Sequence, residues 1–117
     1  MMNEKISTIM TVNPVTLSSS NNLAEVQNIF LNNKIHHLPI VDDGKLVGLV
    51  TTYDLWKQNK AFSDYPNIKV GEVMNTNIAK VSADDKVGTA AELFLDNRFH
   101  ALPVITNNKL VGNSNVI

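Results

Sequence analysis

The feature that most constrains the fold of this chain is an internal repeat. Shifting the 117-residue sequence by 64 positions aligns residues 10–48 with residues 74–112 without a gap, and 13 of the 39 paired positions are identical. Many other pairs keep their chemical character, for example Leu17 with Val81. Because such self-similarity indicates two copies of one supersecondary unit, any fold assigned to the chain has to be built twice.

Each copy predicts a short strand followed by a helix with one apolar face. We expect helices over residues 21–33 and 85–97, with Ser20 and Asp84 as N-caps because their side-chain oxygens can accept from free amides at a helix start. The apolar side chains on these segments recur at helical spacing: Leu23, Val26 and Phe30 in the first copy, and Val87, Ala90 and Phe94 in the second.

A hairpin and a closing helix complete the first copy. A short apolar strand is predicted to turn at Asp43-Gly44, since both residues tolerate positive φ, and to return through residues 45–51. Residues 52–59 then predict a helix with Thr52 as its cap. The predicted unit is therefore strand–helix–strand–strand–helix.

The composition argues against several classes of function. Ten basic and eleven acidic residues leave a net charge of −1, which lacks the basic surplus that nonspecific duplex binding requires. The sequence has no cysteine, which excludes disulfides and thiolate metal sites. Its apolar runs are too short to span a bilayer. We therefore expect a cytoplasmic protein without a membrane span that does not bind nucleic acid.

The sequence carries no recognisable catalytic constellation. It contains no Gly-x-Ser-x-Gly motif, and the spacing of His36 and His100 relative to Asp54 does not predict a base with an orienting partner. No carboxylate lies at ligand spacing beside the histidines, which disfavours a metal site. We therefore expect neither an enzymatic activity nor a bound metal.

Several motifs, taken in order and duplicated, closely resemble the cystathionine-β-synthase (CBS) domain family in its usual tandem arrangement. In the first copy the resemblance lies in residues 9–15 (IMTVNPV), 34–42 (KIHHLPIVD) and 48–55 (GLVTTYDL). In the second copy it lies in residues 73–79 (VMNTNIA) and 98–104 (RFHALPV). No single motif is specific, but their order and spacing are.

The resemblance implies an α+β fold, a tandem CBS-domain pair of two β-α-β-β-α units related by a pseudo-twofold axis. Residues 6–59 are expected to form the first repeat, 60–69 a linker and 70–117 an incomplete second repeat that lacks its last helix. We expect the uncovered apolar face of that second repeat to be buried against another chain.

The resemblance also implies a function. The expected protein is a noncatalytic regulatory or sensor module that binds AMP, ADP or ATP, or less readily S-adenosylmethionine, in the cleft between two repeats. The expected partners are a second copy of the chain, in a homodimer, and an unidentified effector protein. Trp56 is interpreted as a core or dimer contact. The alternative is a ligand-free structural module for dimerisation or partner docking.

Thr51 and Asp54 are the first candidate binding residues. A carboxylate in the first helical turn, which we expect to be exposed, offers two oxygens to the two hydroxyls of a ribose, while the Thr51 hydroxyl and free amides offer donors to a phosphate. The other interpretation is that Asp54 only completes the helix cap.

Asn77, Ile78, Ala79 and His100 complete the candidate site. The resemblance implies a cleft built crosswise, in which these residues of the second repeat face Thr51 and Asp54 of the first, so that one site per chain is expected. Asn77 to Ala79 would supply backbone groups and an apolar wall for adenine, although Ala79 is also compatible with plain core. His100 is interpreted either as a phosphate contact or as a structural or dimer residue.

Overall fold

The computed structural model describes residues 3–97 and 102–114, with the backbone alone for residues 93–97. In chain order, the helices are α1 (Leu23–Asn33), α2 (Thr52–Trp56) and α3 (Val87–Asn97), and the strands are β1 (Thr11–Val12), β2 (His37–Asp42), β3 (Lys45–Thr51), β4 (Val81–Ser82), β5 (Leu102–Thr106) and β6 (Lys109–Ser114). Three short 3₁₀ segments lie at Ile6–Thr8, Phe62–Asn67 and Val70–Glu72. The mixed α+β fold class is the one expected.

The chain forms two compact units whose boundaries differ from those of the sequence repeats. The first-repeat unit is Val15–Ile78, and the second-repeat unit joins residues up to Pro14 to those from Ala79 onwards. The two repeats have therefore exchanged their leading segments. Residues 3–14 of the first repeat belong to the second-repeat unit, and residues 70–78 of the second repeat belong to the first-repeat unit.

Within the first-repeat unit, β2 and β3 form an antiparallel hairpin in which His37 pairs with Thr51. Asp43 and Gly44 make the turn with φ values of 52° and 80°, which confirms the predicted positive-φ turn. The short strand predicted before α1 reduces to a single bridge, in which Leu17 pairs in parallel with Ile40.

The core of this unit includes residues from outside the predicted repeat. Tyr65, in the segment 60–69 that was predicted as a linker, is buried with the aliphatic core, and the carbonyl of Ile68 accepts from the N–H of Leu23 at 3.0 Å. The segment thus packs against α1. The buried residues of this cluster are Leu23, Val26, Leu38, Ile40, Val50, Tyr65 and Val70.

The caps of α1 and α2 differ from those predicted. Asn22, not Ser20, caps α1: its side chain accepts from the N–H of Glu25 at 3.0 Å, and the Glu25 carboxylate accepts from the N–H of Asn22 at 3.4 Å. The reason is that a capping box needs an acidic or amide side chain three residues after the cap, which Glu25 supplies only to Asn22. By the same rule Thr51, not Thr52, caps α2, and this helix ends at Trp56 rather than Asn59.

The second-repeat unit contains four strands in the order β1-β6-β5-β4. The β1–β6 and β6–β5 pairs are antiparallel, and β4–β5 is parallel. Helix α3 begins at Val87, three residues after Asp84, which had been predicted as its cap. The buried cluster is Ile6, Val81, Ala90, Leu102 and Val104.

A glycine–methionine contact anchors each exchanged segment. A Cβ built on Gly48 would lie 2.5 Å from Met74 Sδ, and one on Gly112 would lie 2.7 Å from Met10 Sδ. Contacts this short leave no room for a side chain. The two glycines occupy one identical position of the repeat alignment and the two methionines another. Because the leading segments are exchanged, each glycine contacts the methionine of the other repeat.

Candidate ligand-binding site

Thr51 and Asp54 form a reciprocal capping box where β3 passes into α2. The Thr51 hydroxyl accepts from the N–H of Asp54 at 3.1 Å, and the Asp54 carboxylate, through Oδ2, accepts from the N–H of Thr51 at 2.8 Å. The interpretation of Asp54 as a helix cap is therefore correct as local structure. A hydroxyl can donate and accept at once, and the Thr51 hydroxyl donates to no residue in the part of the chain that the structure describes.

The Asp54 carboxylate is buried, which corrects the expectation that it is exposed. Only 3% of the residue surface is accessible. Asn75 Nδ2 donates to Asp54 Oδ2 at 2.7 Å, and Lys57 Nζ lies 3.2 Å from Oδ1. A carboxylate can be buried at acceptable cost when it is paired and hydrogen-bonded in this way.

The two oxygens of Asp54 consequently have different capacities. Oδ2 already accepts from Thr51 N and Asn75 Nδ2, which fills the two acceptor positions of a carboxylate oxygen. Among the described residues, Oδ1 is paired only with Lys57, whose side chain is half exposed. The Lys57 ammonium lies 5.5 Å from the centroid of the Tyr53 ring. The expected bonds from both oxygens to the two ribose hydroxyls are not available in this arrangement, and Oδ1 is the oxygen with acceptor capacity left.

Asn75 is the residue of this site that the sequence reasoning missed. It belongs to the leading segment of the second repeat and pairs through its backbone with Leu49 of β3. The corresponding residue of the first repeat is Thr11, so the two copies differ at this position and their alignment does not single out Asn75. The crosswise construction implied by the family resemblance was the one available clue.

The other candidate residues fall into different parts of the structure. Asn77 and Ile78 lie in the first-repeat unit, two and three positions after Asn75; Asn77 is exposed and Ile78 half-buried. Ala79 belongs to the second-repeat unit and packs against its buried cluster, which agrees with the interpretation of this residue as core. His100 lies outside the described residues.

The histidines in the described residues form no metal cluster. His36 is exposed, and its backbone carbonyl accepts from the N–H of Thr52 at 3.1 Å. Across residues 3–97 and 102–114 no group of three or more His, Asp or Glu side chains is arranged to hold a metal ion.

The first-repeat unit also carries an open groove of about 420 Å³ beside α1, α2 and the segment Phe62–Asn67. Trp56, at 77% exposure, is not a core residue, which corrects one of its two predicted roles. Apolar and aromatic side chains make up most of the lining, together with polar residues at the rim: Gln27, Phe30, Leu31, Thr52, Leu55, Trp56, Asn59, Lys60, Phe62 and Tyr65.

The fold defines the class of protein. It consists of two α+β units with the same repeated design, and each unit contains the leading segment of the other repeat. The CBS domain family matches residues 6–55 and 70–113, most of the chain. The chain therefore belongs to the CBS domain family, and the resemblance inferred from its motifs is confirmed. CBS domain pairs are generally regulatory modules without catalytic activity.

Two solved structures similar to this chain contain adenosine derivatives. The CBS domain pair of the protein MJ0100, in complex with 5′-methylthioadenosine and S-adenosyl-L-methionine, is 30% identical with a TM-score of 0.79, covering 96% of this chain and 89% of that one. CBSX2 in complex with AMP is 27% identical with a TM-score of 0.83, covering 95% and 89%.

Among curated relatives, a homoserine O-acetyltransferase of Methanococcus vannielii is 30% identical over 112 residues. The match covers 94% of this chain but only 23% of that protein. The chain thus spans about a quarter of the length of this enzyme. In the described part of the chain, no helix has the length and apolar character needed to cross a membrane.

Proposed function

We propose that this chain is a noncatalytic, cytoplasmic regulatory module that binds an adenosine-containing ligand. AMP, ADP and ATP are preferred over S-adenosylmethionine. The observation that carries the proposal is the Asp54 carboxylate, which is buried and held at Oδ2, while Oδ1 is paired, within the described part of the chain, with the half-exposed Lys57 alone. An acceptor oriented in advance and removed from bulk water is suited to bind a ribose hydroxyl.

The ligands of the two related structures support the same chemistry. AMP, 5′-methylthioadenosine and S-adenosylmethionine share adenine and a ribose with free 2′ and 3′ hydroxyls, but they differ in charge at the 5′ position. A ribose-directed carboxylate explains recognition of what they share. The negative net charge of the chain does not by itself select among them.

Within the first-repeat unit, the proposed ligand residues are Thr51, Asp54, Asn77 and Ile78. Asp54 Oδ1 accepts from one ribose hydroxyl, and the Thr51 hydroxyl donates to a ligand oxygen. Asn77 and Ile78 supply polar and apolar contacts to the base. Ala79 and His100 remain proposed ligand residues on the strength of the family resemblance alone.

A calorimetric titration of the purified chain with AMP, ADP, ATP and S-adenosylmethionine tests the proposal, with GMP as the control for the base. We expect saturable binding of at least one adenine nucleotide and much weaker binding of GMP. Absence of heat and of thermal stabilisation with all four adenosine ligands would contradict the proposed function.

The exposed groove supports a second candidate function, docking of another protein, and the partner that we propose is a second copy of this chain. Leu31, Trp56 and Phe62 are 75%, 77% and 70% exposed along the groove. Because buried aromatic side chains contribute about 150–250 Å² each, two such surfaces bury on the order of 1,000 Å² together, near the lower limit for a specific interface. A homodimer is compatible with ligand binding at Asp54. An effector protein is a further proposed partner.

A further inference from the structure

Asn75 is attached to the opposite repeat at three points. Its N–H and carbonyl form a reciprocal pair of 2.9 Å hydrogen bonds with the carbonyl and N–H of Leu49. Its side-chain Nδ2 donates to Asp54 Oδ2 at 2.7 Å and lies 3.4 Å from the Leu49 carbonyl. Because the backbone is held on β3, the Asn75 side chain starts from a fixed position from which its amide reaches the carboxylate.

The amide helps to fix the plane of the carboxylate, and therefore the position of the oxygen that is not bonded to Thr51 and Asn75. The Thr51 N–H and the Asn75 amide both donate to Oδ2, whereas Lys57 approaches Oδ1. The two oxygens are chemically equivalent, so a half turn about the last side-chain bond changes nothing, but a smaller rotation tilts the carboxylate plane and moves the oxygen beside Lys57, and this torsion is intrinsically soft. Two donors on one oxygen oppose that rotation more strongly than the Thr51 N–H alone.

We propose that Asn75 is a positioning residue for the ligand, which holds the Asp54 carboxylate so that Oδ1 is presented to a ribose hydroxyl. The inference rests on the proposed function, because it assumes that Asp54 accepts from the ribose. It adds a residue that need not contact the ligand, and it assigns to the exchanged leading segment a direct part in ribose recognition.

The expected signature is a loss of ribose selectivity rather than a general loss of affinity. If Asn75 only stabilised the fold, its removal would weaken every ligand of the site alike. If it orients Asp54, its removal weakens ligands with ribose hydroxyls and leaves a ligand without them unaffected. AMP and 2′,3′-dideoxy-AMP are the appropriate pair, since they share base and phosphate.

The experiment is calorimetric titration of both ligands into the unmodified chain, Asn75→Ala and Asn75→Thr. Threonine occupies the same column of the first repeat, as Thr11, and its hydroxyl is one bond shorter than the asparagine amide. Gln58→Ala is the matched control, because Gln58 Nε2 donates to the backbone carbonyl of Asp54 at 3.0 Å and not to its carboxylate.

We expect the unmodified chain and Gln58→Ala to prefer AMP over its dideoxy form by about tenfold or more, as for a hydrogen bond to a charged acceptor. Both Asn75 variants should reduce this ratio severalfold while their affinity for dideoxy-AMP stays close to the original. A retained ratio in the Asn75 variants, or equal weakening of both ligands, would overturn the inference and leave the proposed function standing.

Absence of binding of AMP, ADP, ATP and S-adenosylmethionine by the unmodified chain would overturn the proposed function and the inference with it, and if another adenine nucleotide binds in place of AMP, that nucleotide and its dideoxy form replace the AMP pair. If neither Asn75 variant folds, the positioning role is tested in the unmodified chain through the NMR signals of the Asn75 side-chain amide. AMP should shift these signals and slow their hydrogen exchange, whereas dideoxy-AMP should not. Identical responses to the two ligands would refute the positioning role.

Discussion

Asn75 and Asp54 lie 21 positions apart in different repeats, yet the asparagine Nδ2 donates to the aspartate Oδ2 at 2.7 Å. This bond exists because residues 70–78 of the second repeat are part of the first-repeat unit. The exchange thus does more than complete a core, since it brings a donor of one repeat to a buried carboxylate of the other.

The anchoring of the exchanged segment by Gly48 and Met74 predicts a specific coupling. Gly48→Ala should destabilise the chain by about 1–3 kcal/mol, because the added methyl group overlaps the methionine side chain. Met74→Ala alone should also destabilise it by removing buried contacts. The double variant should lose less than the sum of the two single losses, as measured by urea unfolding. Additive losses would show that the two residues do not interact.

Ser114 predicts a stabilising substitution. Its Oγ is buried and has no hydrogen-bond partner among the described residues, whereas the equivalent position of the first repeat is the buried Val50. Ser114→Val should raise the free energy of unfolding by about 1 kcal/mol, since it removes an unsatisfied hydroxyl and adds apolar contact. The reverse exchange, Val50→Ser, should lower it. A destabilised Ser114→Val would indicate that the hydroxyl has a partner.

Asp42 predicts an acid-sensitive contribution to stability. The Ser19 hydroxyl donates to Asp42 Oδ2 at 2.6 Å and the Ser19 N–H to Oδ1 at 3.0 Å. These bonds lower the pKa of the carboxyl from its ordinary 3.8. A lowered folded-state pKa means that the stabilisation is complete above pH 3.8 and is lost as the pH falls through the folded value.

Unfolding by urea at pH 7 and at several values below pH 4 measures this contribution. Asp42→Asn should be less stable than the unmodified chain at pH 7, and the difference should shrink at acidic pH. Asp43→Asn, in the adjacent turn, is the control and should keep the acid-sensitive stability of the unmodified chain, because Asp42 and its bonds from Ser19 are unchanged. A difference between Asp42→Asn and the parent that does not change with pH would exclude the Ser19 bonds as its source.

The groove beside α2 predicts self-association through aromatic side chains. Replacement of Trp56 and Phe62 by glutamine should shift the chain towards the monomer, because both side chains are largely exposed in the single chain. Val15→Gln, which removes an exposed apolar side chain of the first-repeat unit that does not line the groove, is the control and should not change the mass. Light scattering at tens of micromolar measures the mass. A monomer before any substitution would contradict self-association.

The sequence was most informative where the pattern was local or duplicated. The end of α1 at Asn33 and the turn at Asp43-Gly44 followed from helical spacing and from residues that tolerate positive φ. The α+β class and the family followed from the repeat and its motifs. Cap positions were less predictable, because several polar residues precede each helix and only the acidic residue at the third helical position selects among them.

The surroundings of Asp54 required the structure. The spacing between Thr51 and Asp54 predicts the capping role of the aspartate. Its burial and its bond to Asn75 depend on the segment exchange, which no local sequence pattern predicts. Tyr65 was not predicted as a core residue for a similar reason. The sequence of the segment that joins the repeats resembles a polar linker, and only the structure shows that Tyr65 is buried.

The central claim, that Asp54 accepts from the ribose of an adenosine ligand, is tested most directly by the affinity of Asp54→Asn for AMP. The variant keeps the size of the side chain but loses the charge, and its unfolding must be measured alongside because the carboxylate is buried. Asp64→Asn, at an exposed position of the same unit, is the control. We predict that a folded Asp54→Asn binds AMP about tenfold or more weakly, with Asp64→Asn unchanged. Equal affinity for AMP in folded Asp54→Asn and in the unmodified chain would contradict the claim.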